Sequence, residues 1–266
     1  FFGIFSNLMP SGRRESPFNL NPSPMIRKKY TNYQLWRVFP TSSDDLSHLD
    51  DFRMSEEGSK VHWLKPPSLH GSSDVIIPPE YLESFKEFLK DGGIKFSVKL
   101  RNIQHAIRFE NLRLNRRQQI ETEILNGHPL TFYHFHPSKD IFAYYGHIKR
   151  TYPNFVELIP LGFSYNSKPL TIVKIATSKN LRKPGIFILS GTSPHMWLSI
   201  ASSLHILNNL VTNAASNDTF GAMIRKFDWY ILSLLNVDGY DHTMTYDRLW
   251  MKTRSQHLNE NDGIFS

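Results

Sequence analysis

The chain has 266 residues, 40% hydrophobic and 13% aromatic, enough to bury a sizeable core and to form two domains rather than one. No apolar run approaches the about 18 residues of a membrane span, and the lack of any cysteine excludes disulfides, thiolate metal sites and thiol nucleophiles together. The formal charge of +7 is scattered in small clusters, at Arg13 and Arg14, at Arg27 to Lys29 and at Arg116 and Arg117, and reads as a solvated surface rather than a nucleic-acid footprint.

Residues 1–30, with four prolines, read as an extended or disordered lead-in. The opening "FFGIFSNLMPSG" lacks the basic start and apolar length of a signal peptide, so a processed product or a fragment is expected. From Tyr33, "YQLWRVF" alternates as a strand does, and "DDLSHLDDFRM" after Ser43 predicts a helix with an acidic first turn. "VHWL" and "DVIIP" are short strands on either side of the turn-rich "KPPSLHGSS". A helix follows Pro78 and Pro79, sets Leu82, Phe85 and Leu89 on one face and stops at Gly92 and Gly93. "IKFSVKL" then alternates Ile94, Phe96, Val98 and Leu100 against polar partners. The order β-α-β-β-α-β is the ferredoxin-like pattern of an α+β open sandwich, placed at residues 31–101.

Residues 102–122 carry Ile103, Ala106 and Leu112 at helical spacing and turn strongly basic, which predicts a connecting helix; with its linker it runs over 102–126 to a boundary at "LNGHP". The second unit, 127–266, opens with the helical "KDIFAYYGHIKRTYP", stopped by Pro153, and the strands "VELIPLG" and "LTIVKIAT". "KPGIFILSG" holds four consecutive large apolar residues, Ile186 to Leu189, and is expected in the middle of a covered sheet. Ile200, Leu204, Leu207 and Val211 mark an amphipathic helix, and "DWYILSLLN" is a further buried strand ending in the turn signal "VDG". Strands alternating with helices give an α/β sheet.

Both halves resemble one family, the zinc metallocarboxypeptidases of the digestive A/B type in proenzyme form. In the first half the likeness rests on "LWRVFPTSSDDLSHLDD", "WLKPP", "DVIIPPEYLESFKEFLKDGGIKFSV" and the basic connecting helix. In the second it rests on "YPNFVELIPLGFSYNSKPLTIVKIAT", "SGTSPHMWL" and "NVDGYDHTMTYDRLWMKTRS". The resemblance implies an inhibitory open-sandwich prodomain, then a mixed-sheet α/β peptidase domain of which residues up to Ser266 represent the first half. It also implies a secreted location and a reaction that releases C-terminal residues from peptides, with zinc polarising the carbonyl and activating water.

Residue by residue, that implication fails at the chemistry. Gly191 and Trp197 match the family's Gly-x-His-x-x-Glu block, but the histidine-ligand position is Ser193 and the glutamate-ligand position is Met196. A hydroxyl and a thioether are poor replacements for imidazole and carboxylate on zinc, so no cofactor is expected in the chain as written. His195 stands where the family has a substrate-binding arginine and is expected as a partly exposed residue in the helix's first turn. Met251 takes the place of an arginine that supports the oxyanion, a loss worth about 2.7 to 4 kcal/mol of transition-state stabilisation. Arg248 matches an arginine of the substrate groove. The family's third zinc ligand, its carboxylate-binding block and its general base lie beyond Ser266, which predicts open strand edges and exposed apolar surface. "HLNE", His257 to Glu260, and "HFH", His134 to His136, have metal-ligand spacings but are read as a solvated loop and as ordinary polar residues.

The expected function is therefore a carboxypeptidase-like proprotein without catalytic activity, a pseudoenzyme or truncated product that binds peptide or protein C-termini or a related carboxypeptidase. Two alternatives stay open. One is an active zymogen, incompletely represented, that a trypsin-like protease activates by cleavage near Arg116 or Arg117; the other is a prodomain that inhibits an active relative in trans. Neither nucleic acid nor membrane is an expected partner.

Overall fold

The computed structural model describes residues 26–69, 71–112, 118–120, 122, 124, 127–177, 183–259 and 263–265. The lead-in up to residue 25, the basic pair Arg116 and Arg117, and Glu260 lie outside the described residues.

The first domain follows the expected order: β1 (Gln34–Phe39), α1 (Ser43–Met54), a short α2 (Glu56–Lys60), β2 (His62–Trp63), β3 (Ser73–Ile77), α3 (Leu82–Asp91) and β4 (Lys95–Leu100). Its antiparallel sheet runs β2-β3-β1-β4. The register sets Arg37 opposite Asp74, and the guanidinium holds that carboxylate through two hydrogen bonds of 2.7 and 2.8 Å. At the start of α1 a capping box forms: Ser42 Oγ accepts from the Asp45 amide, and the Asp45 carboxylate accepts from the Ser42 amide. The hydrogen bond from Thr41 N, with those from Ser42, holds the Asp45 carboxyl down at about 2. Trp36, Val38, Leu49, Phe52, Val75, Ile77, Phe85 and Leu89 fill the space between one sheet face and the helices. The alternation read in β4 holds for Ile94 and for Phe96, which stacks on Trp36, but not for Val98 and Leu100, which are exposed because β4 is an edge strand.

The connecting helix α4 (Ile103–Glu110) is shorter than its periodicity predicts. Asn111 leaves the helical conformation, with φ −144° and ψ 82°. Its side-chain amide donates to Phe135 O at 2.8 Å and accepts from Phe135 N at 3.1 Å. The second domain thus offers this side chain a better set of partners than the helix does. Leu112, expected on the apolar face, is exposed, and helical conformation returns at residues 118–120.

The second domain contains α5 (Ser138–Thr151), β5 (Val156–Phe163), β6 (Pro169–Ile175), β7 (Gly185–Leu189), α6 (Trp197–Asn213), α7 (Thr219–Arg225), β8 (Asp228–Leu232), α8 (Val237–Thr245) and a small hairpin of β9 (His257–Asn259) with β10 (Gly263–Phe265). Its mixed sheet runs β5-β6-β8-β7, antiparallel except for the parallel pair β7–β8. The amphipathic reading of α6 holds: Ile200, Leu204, Leu207 and Val211 are buried together with Ile141, Tyr144 and Ile148 of α5 and Val173, Ile175 and Ile231 of the sheet.

Three local expectations are corrected. Among the described residues β7 is an edge strand, not a central one, with Phe187 and Leu189 about half exposed. "VDG" is the first turn of α8, capped by Asn236 Oδ1, which accepts from Gly239 N at 3.0 Å. "HLN" is a strand of a hairpin rather than loop. No helix among the described residues is long and apolar enough to cross a membrane.

Candidate functional site

The turn between β7 and α6 carries the "SGTSPHMWL" segment and is stitched to the turn after β8. Ser190 N donates to Leu232 O, and Ser190 Oγ donates to Ser233 O at 2.6 Å. Asn236 N donates to Gly191 O, and the Asn236 amide reaches Thr192 O and Lys252 O. Gly191 has φ +65°, and a Cβ there would lie 2.9 Å from both Leu234 Cα and Ser233 O, so only glycine fits.

On this frame Ser193 and Met196 are joined through the backbone of one turn, with Met196 N donating to Ser193 O at 3.1 Å. Met196 is the N-cap position of α6, and its side chain is half exposed. Its thioether makes no cap hydrogen bond to the first turn, and its carbonyl accepts from Ser199 Oγ at 2.8 Å. Among the described residues, no group of three or more His, Cys, Asp or Glu side chains is placed to hold a metal ion. The donors at positions 193 and 196 do not fit zinc, which takes Cys, His, Asp or Glu.

His195 differs from its expectation. It precedes α6 rather than sitting in its first turn, and it is buried, at 9% exposure. Burial, then the positive charge of Arg248, push its imidazole below the usual histidine range. Its Nδ1 is buried with no hydrogen-bond partner among the described residues.

Arg248 is the best-held charge of the region. Its guanidinium lies 3.8 Å over the Trp197 ring, donates to His195 O at 2.8 Å, and grips both carboxylate oxygens of Glu110 at the end of α4. Trp197 in turn donates its Nε1 proton to Thr243 Oγ1 at 2.7 Å. The arginine read as a groove residue therefore holds the connecting helix of the first domain. Met251 is exposed.

Beside this pair a second contact ties the domains. Tyr30 is fully buried, its N–H donates to Gln104 Oε1 at 2.7 Å, and its hydroxyl donates to Asp247. Lys28 N donates to Tyr246 O at 2.8 Å, and Lys28 Nζ lies 3.4 Å from Asp247. His62 of β2 packs edge-on to Tyr30 and is also pushed below the ordinary histidine range, chiefly by burial and then by Lys28, with Asp247 opposing. The lead-in expected at 1–30 thus ends in an anchor at residues 28–30, which sequence reading missed because its partner lies more than two hundred residues on.

Among the described residues, the histidines of "HFH" are not gathered with other metal-ligating side chains into a group that could hold a metal ion. His136 is buried, accepts from Thr131 N at 2.9 Å and lies 3.4 Å from Asp140, while His134 reaches only Thr131 Oγ1 at 3.4 Å.

An open sandwich joined by a helix to a mixed α/β domain, with the end of that helix held by Arg248 in the loop after α8, is the architecture of a proenzyme of the metallocarboxypeptidase class. Residues 36–110 match the family model for the carboxypeptidase activation peptide, and residues 141–264 match that for zinc carboxypeptidase. The chain belongs to the zinc carboxypeptidase family, A/B type in proenzyme form, as its sequence resemblance implied.

It is 24% identical over 231 residues to carboxypeptidase A4 of Mus musculus, covering 87% of this chain and 54% of that one. It is 29% identical over 229 residues to zinc carboxypeptidase A 1 of Anopheles gambiae, covering 86% and 50%. The fold is that of the crystal structure of the carboxypeptidase A from Helicoverpa armigera, with a TM-score of 0.70 at 22% identity over 85% of this chain and 54% of that one. Thrombin activatable fibrinolysis inhibitor gives 0.68 at 22% identity over 88% and 57%. The chain spans about half the length of these relatives.

Proposed function

We propose that this chain is a carboxypeptidase-like proprotein whose second domain does not run the zinc-peptidase reaction and whose retained competence is binding, outside the cell, to peptide or protein C-termini or to a related carboxypeptidase. One observation carries the reading. A rigid frame built around Gly191 and Trp197 presents Ser193 and Met196, a weak donor and a thioether, where the family presents imidazole and carboxylate. Even loss of a residue that merely orients a zinc ligand costs about 10- to 100-fold in metal affinity, and here the ligands themselves are replaced. Met251 in place of an oxyanion donor is a second, independent loss.

The test is hydrolysis. After limited trypsin treatment, peptides ending in aromatic, aliphatic or basic residues are expected to keep their C-termini, as followed by mass spectrometry. Release that a chelator blocks would overturn the proposal.

A further inference from the structure

The pattern Asn-x-Ser/Thr, with x other than proline, occurs once in the 266 residues, at Asn217-Asp218-Thr219; Asn21-Pro22-Ser23 is ruled out by its proline. The structure places that one match in the turn between α6 and α7, where Asn217 is exposed and its side chain makes no hydrogen bond to a described residue. Its neighbours are fixed. Ser216 Oγ accepts from Asp218 N at 3.3 Å, Asp218 Oδ1 caps α7 through Gly221 N at 2.7 Å, and Arg225 donates to Ser216 O. Gly221 packs so tightly under the turn that a Cβ would lie 2.2 Å from Ser216 O, so the backbone on either side of Asn217 is braced while its carboxamide projects into solvent.

From these observations we infer that Asn217 is an N-glycosylation site. The acceptor chemistry needs a free carboxamide nitrogen and a hydroxyl two residues on, and Asn217 and Thr219 supply both. In the transfer, Asn217 Nδ2 bonds to the anomeric carbon of an oligosaccharide. The bond from that carbon to the diphosphate of a polyprenyl-diphosphate donor breaks, the diphosphate leaves with the bonding pair, and the amide gives up one proton to it.

The position suits a bulky polar group. The glycan leaves from the end of α6 opposite Trp197, and 17 helical residues separate the two ends by about 25 Å, so the Arg248–Glu110 contact stays clear. It also stands at the start of α7, whose exposed Phe220 and Met223 form an apolar patch that a glycan would help to keep in solution.

The inference rests on the extracellular reading above, and the experiment separates the two. Residues 1–266 are expressed in insect cells behind a secretory signal sequence, which supplies the routing whatever compartment the natural protein uses. Peptide–N-glycosidase F is expected to shift the secreted chain, and peptide mapping is expected to find Asn217 converted to aspartate. Asn217→Gln and Thr219→Ala lose the shift, while Thr219→Ser keeps it. An unshifted wild-type chain, or a shift that persists in Asn217→Gln, overturns the site; mapping on the wild type decides the matter if a variant does not fold.

Discussion

At position 191 backbone and packing both demand glycine. Gly191→Ala adds a Cβ to a residue at φ +65° and drives it against Ser233 O and Leu234 Cα, both backbone atoms that cannot step aside cheaply. Left-handed strain alone costs about 1–3 kcal/mol, so the variant is expected to lower the thermal midpoint by several degrees. The same frame makes a reverse prediction at Ser193 and Met196. Replacing them together by His and Glu places two zinc-competent donors on a turn already braced by Gly191 and Trp197. Calorimetry should then register zinc binding where the parent chain gives none, and no gain would mean that the frame no longer presents these positions to a common point.

His195 shows how far residue-level reading reaches. Its place in the block was legible, but its burial was not, because Arg248 and the first domain cover it from distant parts of the chain.

At the level of elements, periodicity identified most helices and strands, since burial on one face leaves a mark at a period of 2 or 3.6. It did not show which strand sits at an edge. Ile186 to Leu189 read as a central strand, yet β7 pairs only with β8 among the described residues, and pairing is a property of the sheet rather than of the strand. The break at Asn111 was hidden for a similar reason: the bonds that end α4 come from Phe135.

In α3 the pattern and the packing agree. Phe85 is fully buried against Trp36, Phe52 and Trp63, and Phe85→Ala is expected to cost the first domain about 3–5 kcal/mol. Chemical denaturation followed by tryptophan fluorescence checks this, with a loss under about 1 kcal/mol counting against a close-packed core there.

At the scale of the whole molecule, the two domains are held by charged and titratable groups rather than by apolar packing alone. Glu110 and Arg248 form the central pair, flanked by Tyr30, Lys28 and Asp247. Removing either member of the pair leaves a partly buried charge unmatched. A double-mutant cycle of Glu110→Ala and Arg248→Ala is expected to give a coupling of about 1.5–3 kcal/mol, read from the rate of proteolysis between the domains.

The interface also carries a pH dependence. His62 and His195 have lowered pKa values in the folded state, so the unfolded or undocked chain binds more protons as pH falls through its ordinary histidine value of about 6.5. Their contribution is therefore present above that pH and lost progressively below it. Thermal midpoints measured from pH 7.5 down to about 5 should fall more steeply for the parent chain than for His62→Gln.

The family and the two-domain plan could be read from ordered sequence blocks, whereas the docking contacts could not, because they join residues 28–30 and 110 to residues 246–248. The central claim, that the peptidase frame is kept while its metal ligands are lost, is tested most directly by zinc stoichiometry. Isothermal titration of the purified 266-residue chain with zinc at neutral pH should show no saturable site near one equivalent. A single tight site that a chelator empties, and that disappears in Ser193→Ala with Met196→Ala, would contradict the account.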